Sequence, residues 1–206
     1  MDHYLDLRPR PDPEFPAAHL MSALFAKLHR ALVALPDVNI GVSFPDVDEH
    51  CPSLGERLRL HGSRAALEGL MQQSWLQGMR DHLGLGEISP VPANAQYRQV
   101  SRVQTKSSPE RLRRRQMRRH PELSEAEVRQ AALQRLRDRH EELSEEEANS
   151  RIDRGQRLTL PFIPLRSQST GQPFRLFIRH GPLQSKPKFG NFNRYGLSNG
   201  PTVPWF

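Results

Sequence analysis

The side chains in this chain most plainly suited to chemistry are arginines. In SSPERLRRRQMRRHPELSE, Ser107 to Glu125, six of the ten residues from Arg111 to His120 are arginine. Guanidinium groups at that density hold phosphates or another polyanion through charge-assisted hydrogen bonds. A donor-rich row precedes them: in YRQVSRVQTK, alternation puts Arg98, Arg102 and Gln104 on the side of a strand that Val100 also takes. Further on, RSQSTGQ is dense in hydroxyl and amide groups, although such a loop alone reads as a turn. Nine histidines supply imidazoles that titrate near neutral pH, but no HExxH or CxxC spacing occurs and spacing alone selects none of them.

Those side chains need elements to carry them. The arginine stretch has a specified helical start, with Ser108 as N-cap, Pro109 at the first helical position and Glu110 at the positive end of the dipole. Only Leu112 and Met117 are large and apolar between Arg111 and His120, so burial does little to hold this helix against its own repulsion. A negative partner would stabilise it; a solvated basic face or a disordered tail is the alternative. RRHPELSEAEVRQ from Arg118 recurs as DRHEELSEEEANS from Asp138, a period of 20 residues. Each copy carries a capping box, Ser124 with Glu127 and Ser144 with Glu147, and Leu123 with Val128 forms a hydrophobic staple in the first. The duplication, over about 118–150, lengthens an excursion between the basic helix (about 108–120) and the C-terminal strands.

Charge is unevenly placed along the 206 residues. Residues 1–95 hold 8 Lys+Arg against 12 Asp+Glu, a net charge of −4, whereas 96–206 hold 22 against 11, a net of +11. The second half is therefore expected to meet a polyanion, most simply nucleic acid. Cys51 is the only cysteine, which excludes an internal disulfide and a zinc-thiolate cluster and fits a reducing, cytoplasmic location. The Pro-rich, charged start MDHYLDLRPRPDPEFP has no apolar core of a signal peptide, and no segment approaches the roughly 20 apolar residues of a membrane span.

The acidic half reads as β-α-β-β-α-β. HYLDLR alternates as a strand with His3, Leu5 and Leu7 on one side. Leu20, Met21, Leu24, Phe25, Leu28, Ala31, Leu32 and Leu35 recur at three and four, a helix ended by Pro36. NIGVSF and RLRLHG read as strands; a helix over 65–79 follows with Leu67, Leu70, Met71 and Trp75 inward, then a strand over 88–91. The expected fold is α+β, with a ferredoxin-like (RRM-like) domain at 1–95 and a smaller α/β domain, expected to recognise nucleic acid, at 96–206, joined through SPVPANAQ. In the second domain Leu176 and Ile178 alternate with Arg175, Phe177 and Arg179 as a strand.

With these pieces in order, the chain resembles the CRISPR RNA-processing endoribonucleases of type I-F systems. The likeness runs through MDHYLDLRPRPDPEFP, GVSFPD, LGERLRLH, YRQVSRVQTKSSPERLRRRQMRRH, LRSQSTGQPFRLFIRHGPLQ, YGLS and VPWF. It implies an enzyme that cuts precursor CRISPR RNA at the base of the repeat hairpin by attack of the RNA 2'-hydroxyl on the adjacent phosphate. It implies no metal and no small-molecule cofactor, continued binding of the mature crRNA stem-loop, and association with the type I-F surveillance complex. The resemblance places the catalytic histidine at His29, the active-site serine at Ser167 and the tyrosine that orients the imidazole at Tyr195. For RNA binding it implies Arg102 and Gln104 on base edges, Phe174 stacked at the end of the stem, and Ser169 near the substrate. Ser107, Arg111, Arg114, Arg115, Arg118, Arg119 and His120 would follow the groove and its phosphates.

Three stretches depart from the family's pattern: the 20-residue duplication, Pro173 beside the recognition loop, and SKPKFGNFNR before Tyr195. A non-catalytic RNA hairpin-binding subunit and a basic DNA-binding protein are the rival readings.

Overall fold

Alternation shapes the first strand, β1 (His3–Pro9), in which Leu5, Leu7 and Pro9 are buried while Arg8 is exposed. The coordinates are those of a computed structural model. It describes residues 1–35, 37–48, 50, 53–104, 118, 124, 126–127, 130–131, 133–134, 160–167 and 170–206. The chain divides into two compact units, one of Met1–Val103 with Leu160–Phe206 and the other of Gln104–Thr159.

In the first unit the helix α1 (Ala17–Ala34) buries Leu20, Met21, Leu24, Phe25, Leu28, Ala31 and Leu32, the stripe that a three-and-four spacing requires. Truncating one such buried leucine to alanine typically costs about 2–5 kcal/mol. Leu35 leaves helical space (φ −118°, ψ 71°) directly before Pro36, whose ring crowds the preceding residue. Two fully buried strands follow, β2 (Gly41–Ser43) and β3 (Leu58–Gly62). Ser63 then caps α2 (Arg64–Gln72) by accepting a hydrogen bond from the Ala66 amide at 3.2 Å.

Here the structure corrects the expected elements. The helix predicted over 65–79 stops early because Gln73 turns extended (φ −72°, ψ 145°), and 3-10 turns at Ser74–Leu76 and Arg80–His82 take over. Leu76 and Met79 still reach the core, so the apolar spacing is satisfied without a continuous helix. The strand predicted over 88–91 is present as a short β5 (Ser89–Pro90), and an additional strand, β4 (Leu83–Leu85), precedes it. The first sheet runs β2-β3-β1-β4, with β5 also on β1 and every pair antiparallel.

A second sheet is built from β6 (Gln96–Val103), β7 (Phe162–Arg166), β8 (Pro173–Gln184) and β9 (Val203–Trp205) in the order β7-β8-β6-β9. The change of sheet falls between Pro90 and Gln96, and both sheets lie in the first unit. As the alternation predicts, Leu176 and Ile178 are buried and Arg175 and Arg179 exposed. The fold is α+β.

Leu58 and Leu60 of β3 point to one side and Arg59 and His61 to the other, yet all are buried because the C-terminal segment covers the second face. The Arg59 guanidinium lies over the rings of Phe206 and Tyr4, at 4.0 and 4.6 Å, and forks onto Asp6 at 2.6 and 2.9 Å. It also donates to the Phe206 carbonyl at 3.0 Å, so the cost of desolvating this cation is offset on every side. Next to it, His61 Nε2 meets the Ser43 hydroxyl at 2.8 Å. Burial, and then the neighbouring Arg59 charge, push His61 down to about 3.

In the second unit Ala126, Glu127, Gln130, Ala131, Leu133 and Gln134 are helical. The first capping box is formed as expected: the Ser124 amide and hydroxyl both donate to Glu127 Oε2 at 2.7 Å. The second box, Ser144 with Glu147, lies outside the described residues. No helix among the described residues is long and apolar enough to cross a membrane.

Candidate active site

His29 sits four residues after Phe25 on α1, on the flank of the apolar stripe and half-buried. A tight turn in the segment between β8 and β9 meets it. Asn193 Oδ1 accepts from the Tyr195 and Leu197 amides at 2.8 and 3.2 Å, while the Gly196 amide donates to the Asn193 carbonyl at 2.8 Å. Gly196 is required at this turn, because its φ is +70° and a Cβ would come within 2.7 Å of Val42 Cγ1. Its carbonyl accepts from the Val42 amide at 2.9 Å, which ties the turn to β2.

The turn presents two groups to His29. Nδ1 lies 2.8 Å from the Arg194 carbonyl oxygen. A carbonyl can only accept, so Nδ1 carries the proton, and in the neutral ring Nε2 keeps the lone pair. The Tyr195 ring stacks on the imidazole with centroids 3.9 Å apart and planes within 5°. Tyr195 also runs parallel to Phe25 at 6.3 Å and 9°, so one phenol ring spans two successive turns of the helix. A hydrogen bond and a stack together fix the imidazole's plane and its tautomer.

Arg102 extends the row. Its guanidinium carbon is 5.7 Å from the Tyr195 centroid and 6.0 Å from that of Phe174. Four residues named from the sequence, His29, Tyr195, Arg102 and Phe174, therefore form one continuous line across the first unit. Arg98, expected on the same strand face as Arg102, instead lies over Trp205 at 4.9 Å and donates to the Gly181 carbonyl. The register shift between Arg98 and Val100 breaks the regular row that alternation predicts.

Ser167 closes the β7–β8 hairpin. Its amide donates to the Gln172 carbonyl at 2.9 Å, and its hydroxyl oxygen accepts from the Thr170 amide at 3.3 Å. Phe174, half-buried, is paired with Leu165 two residues before Ser167, and β7 itself packs on α1. Gln104 follows β6 and is exposed; Arg118 is helical and exposed. Ser107, Arg111, Arg114, Arg115, Arg119, His120 and Ser169 lie outside the described residues. Among the described residues no three His, Cys, Asp or Glu side chains gather as a metal ion would need.

The profile of a family described as "CRISPR-associated protein (Cas_Csy4)" matches residues 4–206. The chain belongs to the Cas_Csy4 family. It is 58% identical over 208 aligned residues to the CRISPR-associated endonuclease Cas6/Csy4 of Pseudomonas aeruginosa (strain UCBPP-PA14), with all of both chains covered. It is 46% identical over 206 residues, again with all of both chains covered, to the protein of the same name from Escherichia coli (strain UTI89 / UPEC).

Within this Cas_Csy4 chain, sequence reasoning missed the supports behind the line of residues. Phe25 reads as core and is core, but it is also the second ring under Tyr195. Asn193 and Gly196 build the turn, and the Asn-x-x-Gly spacing is a signal that could have pointed to it. The Arg194 carbonyl left no signal, since every residue has one.

Proposed function

We propose that this chain is a sequence- and structure-specific endoribonuclease that cuts precursor CRISPR RNA at the base of the repeat hairpin and stays bound to the mature crRNA stem-loop. The names of its two relatives support an endonuclease. The observation that carries the mechanism is the Nδ1 hydrogen bond to the Arg194 carbonyl, which leaves Nε2 of His29 as the basic atom. His29 Nε2 takes the proton from a ribose 2'-hydroxyl, and that oxygen forms a bond to the adjacent phosphorus. The bond from phosphorus to the 5'-oxygen breaks, the leaving oxygen takes up a proton, and a 2',3'-cyclic phosphate remains. The nucleophile belongs to the substrate, so the protein supplies alignment and proton transfer and the step runs without a metal. Tyr195 orients the imidazole, and Ser167 fixes the ribose by hydrogen bonding.

Recognition is divided along the same line. Arg102 and Gln104 read base edges, as a guanidinium suits guanine and a carboxamide suits adenine. Phe174 closes the open face of the terminal base pair. Ser107, Arg111, Arg114, Arg115, Arg118, Arg119 and His120 follow the groove and its phosphates, with Ser169 near the ribose. The element order β-α-β-β-α-β of the first sheet and its helices supports a ferredoxin-like domain at 1–95, with RNA recognition at 96–206. The bound product joins the chain to the subunits of a type I-F surveillance complex, in the cytoplasm.

The test is cleavage of the cognate hairpin RNA in excess EDTA, beside a substrate with a single 2'-deoxy sugar just upstream of the cut. Cleavage should persist with EDTA and vanish with the deoxy sugar. Binding without cleavage of either RNA would make the chain a hairpin-binding subunit instead.

A further inference from the structure

Phe189 is 88% exposed, whereas the other exposed large apolar residues, Phe15, Val33, Leu183 and Phe206, are between 37% and 48% exposed. A single exposed apolar side chain is ordinary, so the setting of this ring decides its meaning. This ring does not stand on a slack loop. On one side of it the Lys188 amide donates to Thr202 Oγ1, and the Thr202 amide returns a bond to the Lys188 carbonyl, both at 2.9 Å. On the other side Asn39 Nδ2 donates to the Gly190 carbonyl at 3.1 Å, while Asn39 Oδ1 accepts from the Phe192 amide at 3.0 Å. The backbone is therefore pinned before and after Phe189, and a ring already held in place loses little freedom when something docks on it.

The surroundings define what could dock. Lys186 and Lys188 precede Phe189 in the sequence and are exposed, Arg194 follows, and no Asp or Glu occurs anywhere from Leu160 to Phe206. An exposed aromatic side chain in a basic stretch without carboxylates suits a base with its phosphate better than an apolar or basic peptide. Position agrees. Phe189 lies six positions before Tyr195, which limits the distance between them to about 22 Å. That is a span of a few nucleotides from the proposed cut.

We propose that Phe189, with Lys186 and Lys188, forms a stacking platform for an unpaired nucleotide of the RNA that flanks the hairpin base. The proposal rests on the RNA-endonuclease reading and adds a contact to single-stranded RNA that the hairpin-binding line does not make. The lysines hold the backbone of that strand while the ring takes one base.

The experiment measures equilibrium binding of three RNAs: the bare hairpin, the hairpin with a 5' single-stranded extension, and the hairpin with a 3' extension, each carrying a 2'-deoxy sugar at the cut. Wild-type protein should bind one extended RNA more tightly than the bare hairpin, and the arm that gains identifies the strand. Phe189→Ala should remove that gain, about 5- to 100-fold as expected for one base stack, and leave bare-hairpin affinity unchanged. Phe189→Trp should keep it. An equal loss for bare and extended RNAs would overturn the proposal, because the ring would then serve the hairpin or the fold. No loss for any RNA would overturn it too, leaving the ring to a protein partner. Wild-type protein that binds no hairpin RNA at all would sink the RNA-endonuclease reading itself, a result distinct from either.

Discussion

Two histidines in the same unit each make one hydrogen bond of 2.8 Å, and they are prepared for opposite tasks. His61 lies inside, against the Ser43 hydroxyl, with its Nδ1 unpartnered among the described residues and its acidity pushed to about 3 by burial and by Arg59. It stays neutral at any physiological pH and serves packing. His29 lies at the rim, half-buried, with Nδ1 tied to a carbonyl and its plane fixed by Tyr195. Full burial fixes an imidazole but removes its titration; stacking one face and anchoring one nitrogen fixes it while leaving the other nitrogen for chemistry.

The contrast can be broken most directly at His29. His29→Ala should slow single-turnover cleavage by about a hundred- to ten-thousand-fold, with hairpin affinity from filter binding nearly intact. Equal losses in both would mean that His29, like His61, serves the fold. For His61 the folded value lies below the ordinary 6.5, so the unfolded chain binds the proton first as pH falls. Its stabilising contribution is complete above 6.5 and is lost progressively toward 3, at a rate approaching about 1.4 kcal/mol per pH unit. Urea denaturation between pH 6.5 and 5, above the range in which carboxylates titrate, should show this slope in the wild type. His61→Gln, which can still meet Ser43, should flatten it, and an unchanged slope would assign the acid sensitivity elsewhere. The smallest effect is expected at Tyr195. Tyr195→Phe keeps the stack and should alter the cleavage rate less than about threefold, whereas Tyr195→Leu removes an aromatic pair worth about 0.5–1.5 kcal/mol. If both variants behave alike in single-turnover assays, stacking does not orient His29.

What the sequence made visible follows how local each cause is. α1 was legible because its buried residues recur every three or four positions, and β1 because its burial alternates. The Ser124–Glu127 box was legible because both partners lie within one helical turn. The second helix was overextended since Leu67, Leu70, Met71 and Trp75 keep a helical spacing through Gln73, where the backbone turns extended and a 3-10 turn brings Trp75 to the core instead. The candidate site was least legible. His29 is an ordinary helical histidine until Arg194, 165 residues later, brings a carbonyl to it. Only family resemblance selected it and Tyr195. The Arg59–Asp6 fork depends in the same way on strand register, which pairs Asp6 with Arg59 across β1 and β3.

The last few residues act as a fastener along a seam. β9 belongs to the second sheet, while Phe206, directly after it, is gripped by Arg59 of the first. Farther along, the Val42–Gly196 hydrogen bond adds a second stitch. His29 comes from one side of this seam and Arg194 with Tyr195 from the other. A small shift along this seam would therefore misalign the imidazole. On the proposed reading, cleavage would then fail before the fold melts, and the grip of Arg59 on Phe206 helps to set how far apart those two events lie.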